Sequence, residues 1–321
     1  MVAALLLLLA AALPAVAAGS DDRPPKPPKR AVDANATPLR IALISYANPQ
    51  QVARDSKAIA KYLEPYVGRR VKGFVTTDYG SSIEAMRNGH ADLAFVDPLA
   101  FMMAHEQIGA QPLLLEIYST GTPSYYSCIW VQRDSGIEAI DDLKGKTIAY
   151  ADQVDMSGHL LPRDIFVRAG LLSGPRLAGG FFKQVYFAGG DEQAVRAVLH
   201  GFVDAAGVSQ FSYLLLRPEE RDKLTIISRS IDSPSHLVMA RKGLSLEIIT
   251  PLKQALLALD AKVPNDKAIL DKLYGVKGYV EAELDDFAQV AQIAARYGFV
   301  KNPGLFAREL TAETQRSQRR D

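Results

Sequence analysis

The sequence predicts an α/β protein built as two similar lobes. Three observations carry that expectation. Short apolar runs alternate with amphipathic stretches along residues 39–228, the pattern of strands covered by helices. A helix–Gly–x–x–Asp–strand pattern occurs twice, ending Asn88-Gly89-His90-Ala91-Asp92 and again His200-Gly201-Phe202-Val203-Asp204, with the two glycines 112 residues apart. The 321 residues are 48% apolar and 23% charged, an ordinary globular balance at a length that suits two domains.

The same arithmetic excludes several classes. Lys and Arg number 37 and Asp and Glu 36, a net charge of +1. A disordered polyelectrolyte is ruled out, and a nucleic-acid binder would need a basic excess to neutralise phosphates. A single cysteine, Cys128, leaves no intrachain disulfide and no cysteine zinc site. The five histidines, His90, His105, His159, His200 and His236, show no metal-ligand spacing. No Gly-x-Ser-x-Gly elbow, phosphate loop or His-Glu-x-x-His is present, so neither an enzyme nor a cofactor is expected.

In chain order, residues 1–18 are apolar, broken by Pro14 and closed by the small residues Ala15-Val16-Ala17, and read as a secretory signal peptide. Residues 19–38 are rich in Pro and Lys with few large apolar side chains, and read as an extended tether. Leu39 to Ser45 is a short apolar run bounded by prolines, hence a buried strand. Val52 to Tyr66 sets Ile59, Leu63 and Tyr66 on one face of a helix. Val71–Thr76 and Leu93–Val96 are strands around a short helix that Ser81-Ser82 would cap. A second set follows: a strand from Tyr125 to Gln132, a short helix at 141–146, a strand over 147–150 and a helix from Leu161 that Gly170 ends. Strand 185–187, helix 192–199 and strands 205–208 and 224–228 complete it. Alternation of this kind predicts largely parallel sheets. A further helical stretch falls within 282–317, ahead of an Arg-rich tail.

Ligands of open α/β sheets bind beyond the carboxyl ends of the strands, so the strand-to-helix junctions are the candidate site. Ser157, Gly158 and His159 precede Pro162, a residue suited to a first helical turn. Free amides at such a start favour an anion, and Ser157 adds a hydroxyl. Tyr79 opens the helix after the second strand, Asp97 the one after the third, and Asp191 the one after Phe187. Tyr125 lies at the crossing between lobes. Tyr79, Asp97, Tyr125, Ser157, Gly158, His159 and Asp191 are therefore the candidate ligand-binding residues, with core packing of the tyrosines and N-capping by the aspartates as the plainer alternatives.

These blocks, Asp78-Tyr79 and Ser157-Gly158-His159-Leu160-Leu161-Pro162 above all, resemble the phosphate/phosphite/phosphonate-binding family of periplasmic solute-binding proteins over roughly Leu39 to Phe299. The resemblance implies a type II periplasmic-binding-protein fold, two Rossmann-like lobes joined by a two-strand hinge, closing around a small oxyanion. It implies a first lobe of residues 39–125 plus 236–310, a second of 126–235 and a flexible tail of 311–321. It also implies a periplasmic or secreted monomer that hands its ligand to an ABC transporter permease. The alternative is a sensor presenting an oxyanion or arsenite to a membrane histidine kinase. Cys128 reads as a small core residue, with a thiol site for arsenite as its alternative. Where the family carries a Ser-Thr-Ser-Gly turn this chain has Asp155-Met156-Ser157-Gly158, which sets a carboxylate beside the expected anion. His236 is a further polar residue near the return crossing.

Overall fold

The computed structural model describes residues 23–44, 49–173, 180–273 and 275–301. The expected signal peptide, the start of the tether and the tail lie outside the described residues.

The chain begins with β1 (Leu39–Ile44), α1 (Pro49–Val67), β2 (Val71–Thr76), α2 (Tyr79–Arg87), β3 (Leu93–Val96), α3 (Pro98–Ile108) and β4 (Gln111–Ile117). It crosses over through β5 (Ser124–Tyr125). The second lobe holds β6 (Ser127–Gln132), β7 (Thr147–Tyr150), α4 (Leu161–Arg168), β8 (Gln184–Phe187), α5 (Asp191–Leu199), β9 (Ala205–Ser209), α6 (Pro218–Arg221) and β10 (Leu224–Arg229). The return runs through β11 (Ser233–Pro234) into β12 (Leu237–Ala240), α7 (Leu246–Leu257), α8 (Pro264–Leu270), β13 (Gly278–Glu281) and α9 (Ala288–Arg296).

One sheet has the order β13-β4-β12-β3-β1-β2 and the other β10-β6-β9-β7-β8. The expectation of largely parallel sheets needs correction. β1 is parallel to β2 and β3, and β7 to β8 and β9, but β12, β4 and β13 pair antiparallel in the first sheet and β6 and β10 in the second. β4 and β6 lead into and out of the crossing, β10 and β12 flank the return, and β13 follows α8 at the sheet edge, so these strands do not follow βαβ geometry. At the crossing β5 and β11 pair antiparallel, Tyr125 opposite Ser233, which makes the connection between lobes two-stranded.

The repeated Gly-x-x-Asp pattern has one structural meaning in both lobes. Gly89 and Gly201 sit at φ +67° and +71° just past a helix end, a conformation that favours glycine. The aspartate three residues on then accepts from a backbone amide at the start of the neighbouring strand. Asp92 Oδ2 accepts from Arg40 N at 2.9 Å, and Asp204 Oδ2 from Thr147 N at 2.7 Å. Asp92 also holds the Arg241 guanidinium at 2.9 Å, which ties the returning chain to the same point.

Two helix starts depart from expectation or refine it. α2 begins two residues early, capped by Asp78, whose Oδ1 accepts from Ser81 N at 2.6 Å, rather than by the serines. Asp97 caps α3, with Pro98 at its first position.

Among the described residues before β1 there is no helix or strand beyond one isolated bridge at Asp33, yet residues 23–38 are not a free tether. Arg23 pairs with Asp260 at 2.5 Å and Lys26 with Asp266. Arg30 N donates to Pro65 O at 2.6 Å and Asp33 N to Gly68 O at 3.0 Å. Its basic side chains find acidic partners around α8 and its amides find the exposed carbonyls at the end of α1, so a segment too polar to form a core still lies along the first lobe.

The lobes are in contact. Met156, Leu160 and Leu161 of the second lobe belong to the apolar cluster of Tyr79, Phe101, Tyr125 and Phe287. Beside them Asp164, buried on α4, accepts from Arg296 Nη1 at 2.6 Å and from the Tyr297 hydroxyl at 3.1 Å, both at the end of α9. The Arg163 guanidinium lies 4.8 Å from the centre of the Tyr297 ring. Among the described residues no helix is long and apolar enough to cross a membrane.

Candidate functional site

The carboxyl ends of β3 and β7 meet between the lobes. β3 delivers Asp97 directly into the first turn of α3, where Oδ1 accepts from Ala100 N at 2.7 Å. The other oxygen reaches across: Oδ2 accepts from Met156 N of the second lobe, also at 2.7 Å. Met156 begins a π-helical turn, Met156–Leu160, that runs straight into α4. Asp155 caps that turn. Its Oδ1 accepts from Gly158 N at 2.7 Å and from the Ser157 hydroxyl at 3.0 Å.

Gly158 has no room for a side chain. A Cβ there falls 2.3 Å from Ala151 Cβ, 2.9 Å from Asp191 Oδ1 and 3.2 Å from Asp155 Oδ2. That close approach places Asp191, at the start of α5, on the same small space. Asp191 Oδ2 accepts from the Ser212 hydroxyl at 2.7 Å.

Asp155 therefore has a carboxyl on either side, Asp97 and Asp191. Asp97 is fully buried, while Asp155 and Asp191 keep some contact with solvent. Burial raises the Asp97 carboxyl well above the usual range, and the neighbouring Asp155 raises it further. Burial and then Asp155 push Asp191 up to about 7. Asp155 is also raised by burial, against the pull of the Gly158 amide and the Ser157 hydroxyl. Tyr125 joins them from β5. Burial and then the charges of Asp97 and Asp155 hold its phenol well above the ordinary value, and its buried hydroxyl has no partner of hydrogen-bond geometry. The Ser233 side chain lies close enough to pull the other way, as a loose hydrogen-bond partner of the phenol.

Of the seven residues expected from sequence, Asp97, Tyr125, Ser157, Gly158 and Asp191 are drawn together in this way. Tyr79 is buried at the first position of α2, in the apolar cluster that also holds Tyr125 and Met156. His159 is placed elsewhere. Its ring stacks into the second lobe between Tyr150 and Phe187, both at 5.1 Å, and its Nδ1 bonds Gln153 O at 2.8 Å. Burial lowers its pKa to about 4, so it is neutral. Position three of a helical turn carries a side chain away from positions one and two, which is why a neighbour of Ser157 faces the core.

His236 stands at the crossing. Its Nδ1 lies 3.0 Å from the Tyr118 hydroxyl, which donates to Glu116 Oε2 at 2.8 Å. Gln210 clasps Tyr126 at the same level, accepting Tyr126 N at 3.2 Å and donating its own N to Tyr126 O at 3.0 Å. Cys128 is a core residue of β6 with no exposure, its thiol pushed up to about 12 by burial. A reactive thiol needs the opposite, a lowered pKa and access.

Sequence reasoning did not put Asp155 or Ser212 among the binding residues. Asp155 was legible as a carboxylate in a helix-start turn. Ser212 gave no signal, because it comes from a 3₁₀ turn after β9 and meets Asp191 only through the fold. Among the described residues no group of three or more His, Cys, Asp or Glu side chains is arranged to hold a metal ion.

Two sheets, a two-stranded crossing and a polar contact at the strand ends define the class of two-lobed solute-binding proteins with the type II periplasmic fold. The chain belongs to the family of ABC transporter phosphonate periplasmic substrate-binding proteins, whose profile it matches over residues 41–287. It is 26% identical over 290 residues to the phosphonates-binding periplasmic protein of Escherichia coli K12, covering 87% of this chain and 83% of that one. It is 29% identical over 185 residues to the phosphate-import protein PhnD of Mycolicibacterium smegmatis, 56% of this chain and 57% of that one. Its fold is similar to PhnD1 of Prochlorococcus marinus in complex with methylphosphonate, at a TM-score of 0.70 and 19% identity over 82% of this chain and 98% of the other. Members of the family are substrate-binding proteins of transporters rather than enzymes, and membership implies a periplasmic location.

Proposed function

We propose that this chain captures a small oxyanion of the phosphonate, phosphate or phosphite class by closure of its two lobes and delivers it to the permease of an ABC transporter. The observation that carries this reading is the polar contact between lobes at the carboxyl ends of the parallel strands, where Asp97 of one lobe meets the Met156 amide of the other at 2.7 Å. Tyr125, Ser157 and Asp191 surround that contact and supply hydroxyls and a carboxyl to a guest. Closure over a guest shields it from water, which strengthens each charge-assisted hydrogen bond to about 1.5–3 kcal/mol. The permease reads the closed form by its shape. The family profile and the phosphonate and phosphate relatives support the ligand class; the carboxyls favour oxyanions that still carry a proton to donate.

Titration calorimetry with phosphate, phosphite and methylphosphonate tests the reading. Saturable binding of at least one, weakened about tenfold or more in Ser157→Ala, is expected for loss of a hydrogen bond to a charged group. Failure of all three to bind overturns the oxyanion class. Unchanged affinity in Ser157→Ala removes that hydroxyl from the site.

A further inference from the structure

We propose that Asp97 is the specificity-determining residue of the contact between the lobes: its carboxyl occupies the Met156 amide of the opposite lobe, the place a ligand oxygen would take, so the chain discriminates against fully ionised oxyanions and admits those that bring a proton. This deepens the function proposed above and rests on it.

The argument is one of donors and charges. An anion entering at the start of the Met156–Arg168 helical stretch needs free amide donors. Here two are already used by the protein's own carboxyls, Met156 N by Asp97 and Gly158 N by Asp155. The Ser157 hydroxyl is also turned to Asp155, and the Ser212 hydroxyl to Asp191. An arriving dianion therefore meets acceptors. From the first lobe it faces Asp97, from the turn after β7 Asp155 with Asp152 beyond it, from α5 Asp191, and from the crossing Tyr125. Among the described residues, the main influences on the charge state of Asp97, Asp155 and Asp191 are burial, neighbouring carboxyls and hydrogen-bond donors, with no basic side chain among them.

Asp97 is the member that decides. It is fully buried, bridges the lobes and uses one oxygen on each. A P–OH group can donate to a carboxylate where a bare phosphoryl oxygen is repelled. The Tyr125 hydroxyl, more than nine-tenths buried, has only the Ser233 side chain close to it and makes no hydrogen bond of full geometry. It stands beside the carboxyls, ready to donate to an oxygen of the guest.

The test compares methylphosphonate affinity in the wild-type protein, Asp97→Asn and Asp97→Ser at acid pH and at pH 8. Both variants keep a capping oxygen for the Ala100 amide, so α3 retains its start; Asn is isosteric and Ser too short to reach the other lobe. The expected result is wild-type affinity that falls from acid pH to pH 8 and a variant affinity about tenfold tighter than wild type at pH 8, the equivalent of one pKa unit of like-charge repulsion removed. Asp97→Glu, which keeps the charge, should gain nothing. If wild type binds methylphosphonate and neither neutral variant binds it more tightly at pH 8, the role of Asp97 is overturned while the proposed function stands. If the neutral variants bind and wild type does not, Asp97 is the excluding residue and the proposed ligand class falls. If none of the proteins binds at any pH, both readings are overturned together.

Discussion

Glu116 sits on β4 beside the crossing, and its replacement by Gln gives a direct reading of how the fold holds a buried charge. The side chain is buried, and its only described hydrogen bond is the one it accepts from the Tyr118 hydroxyl at 2.8 Å. Tyr279 lies opposite on β13, with a buried hydroxyl that has no partner. Burial lifts the carboxyl from 4.5 to about 7, with the Tyr118 bond pulling weakly the other way. The folded state thus keeps a proton that the unfolded chain releases. Its stability is fully present below about 4.5 and is lost as pH rises through about 7. At 1.36 kcal/mol for each pKa unit, the loss amounts to about 3 kcal/mol by pH 8. Glu116→Gln is neutral throughout, keeps an oxygen for Tyr118 and gains an amide that can donate to Tyr279. Urea unfolding of both proteins across the pH range checks this, because other titrating groups cancel in the difference. The two should agree near pH 4, and the variant should be more stable by about 3 kcal/mol at pH 8. Parallel stability curves would refute the reasoning.

Gly158→Ala forces a methyl to within 2.3 Å of Ala151 Cβ and should cost about 1–3 kcal/mol in urea unfolding; a change below about 0.5 kcal/mol counts against the close packing of that turn. Cys128, buried and held mainly as a thiol, should stay unreactive toward a thiol-titrating reagent until the protein is unfolded; stoichiometric reaction in the native state contradicts its placement. Asp92→Ala and Asp204→Ala remove matching acceptors from the two lobes, so each should destabilise by about 1–3 kcal/mol. A neutral effect in either would show that the two Asp positions are not equivalent.

Much of the architecture was legible because it depends on local signals. Val71–Thr76 and Leu93–Val96 are apolar runs with turn residues on both sides, and the structure gives the same bounds. The Gly-x-x-Asp repeat could be read because its glycine has a local cause, a left-handed turn past a helix end, although the amide each aspartate accepts comes from 52 or 57 residues away. Strands β4, β12 and β13 were not anticipated. Their places are set by pairings such as Leu237 with both Val96 and Leu115, far apart in sequence, which no local pattern records. The tether was misjudged for a related reason. Composition said that residues 19–38 could form no core, but not that Lys26 and Arg23 would find acidic partners around α8.

The candidate site was legible to the level of which junctions meet. Asp97 and Asp191 were open to a plain capping reading, and Asp97 does cap α3. Its second bond, to the Met156 amide, depends on how the lobes approach and has no sequence signature. His159 was grouped with Ser157 by adjacency, whereas helical geometry turns it into the aromatic core of the second lobe.

The most direct test of solute capture between the lobes is a crystal structure of the protein grown with phosphite or methylphosphonate at acid pH. The account predicts ligand density in contact with both lobes, within hydrogen-bond reach of Tyr125 and the Ser157 hydroxyl and beside the Asp97 and Asp191 carboxyls. Density bound to one lobe alone, or on an outer face with Asp97 still closed on the Met156 amide, would contradict it.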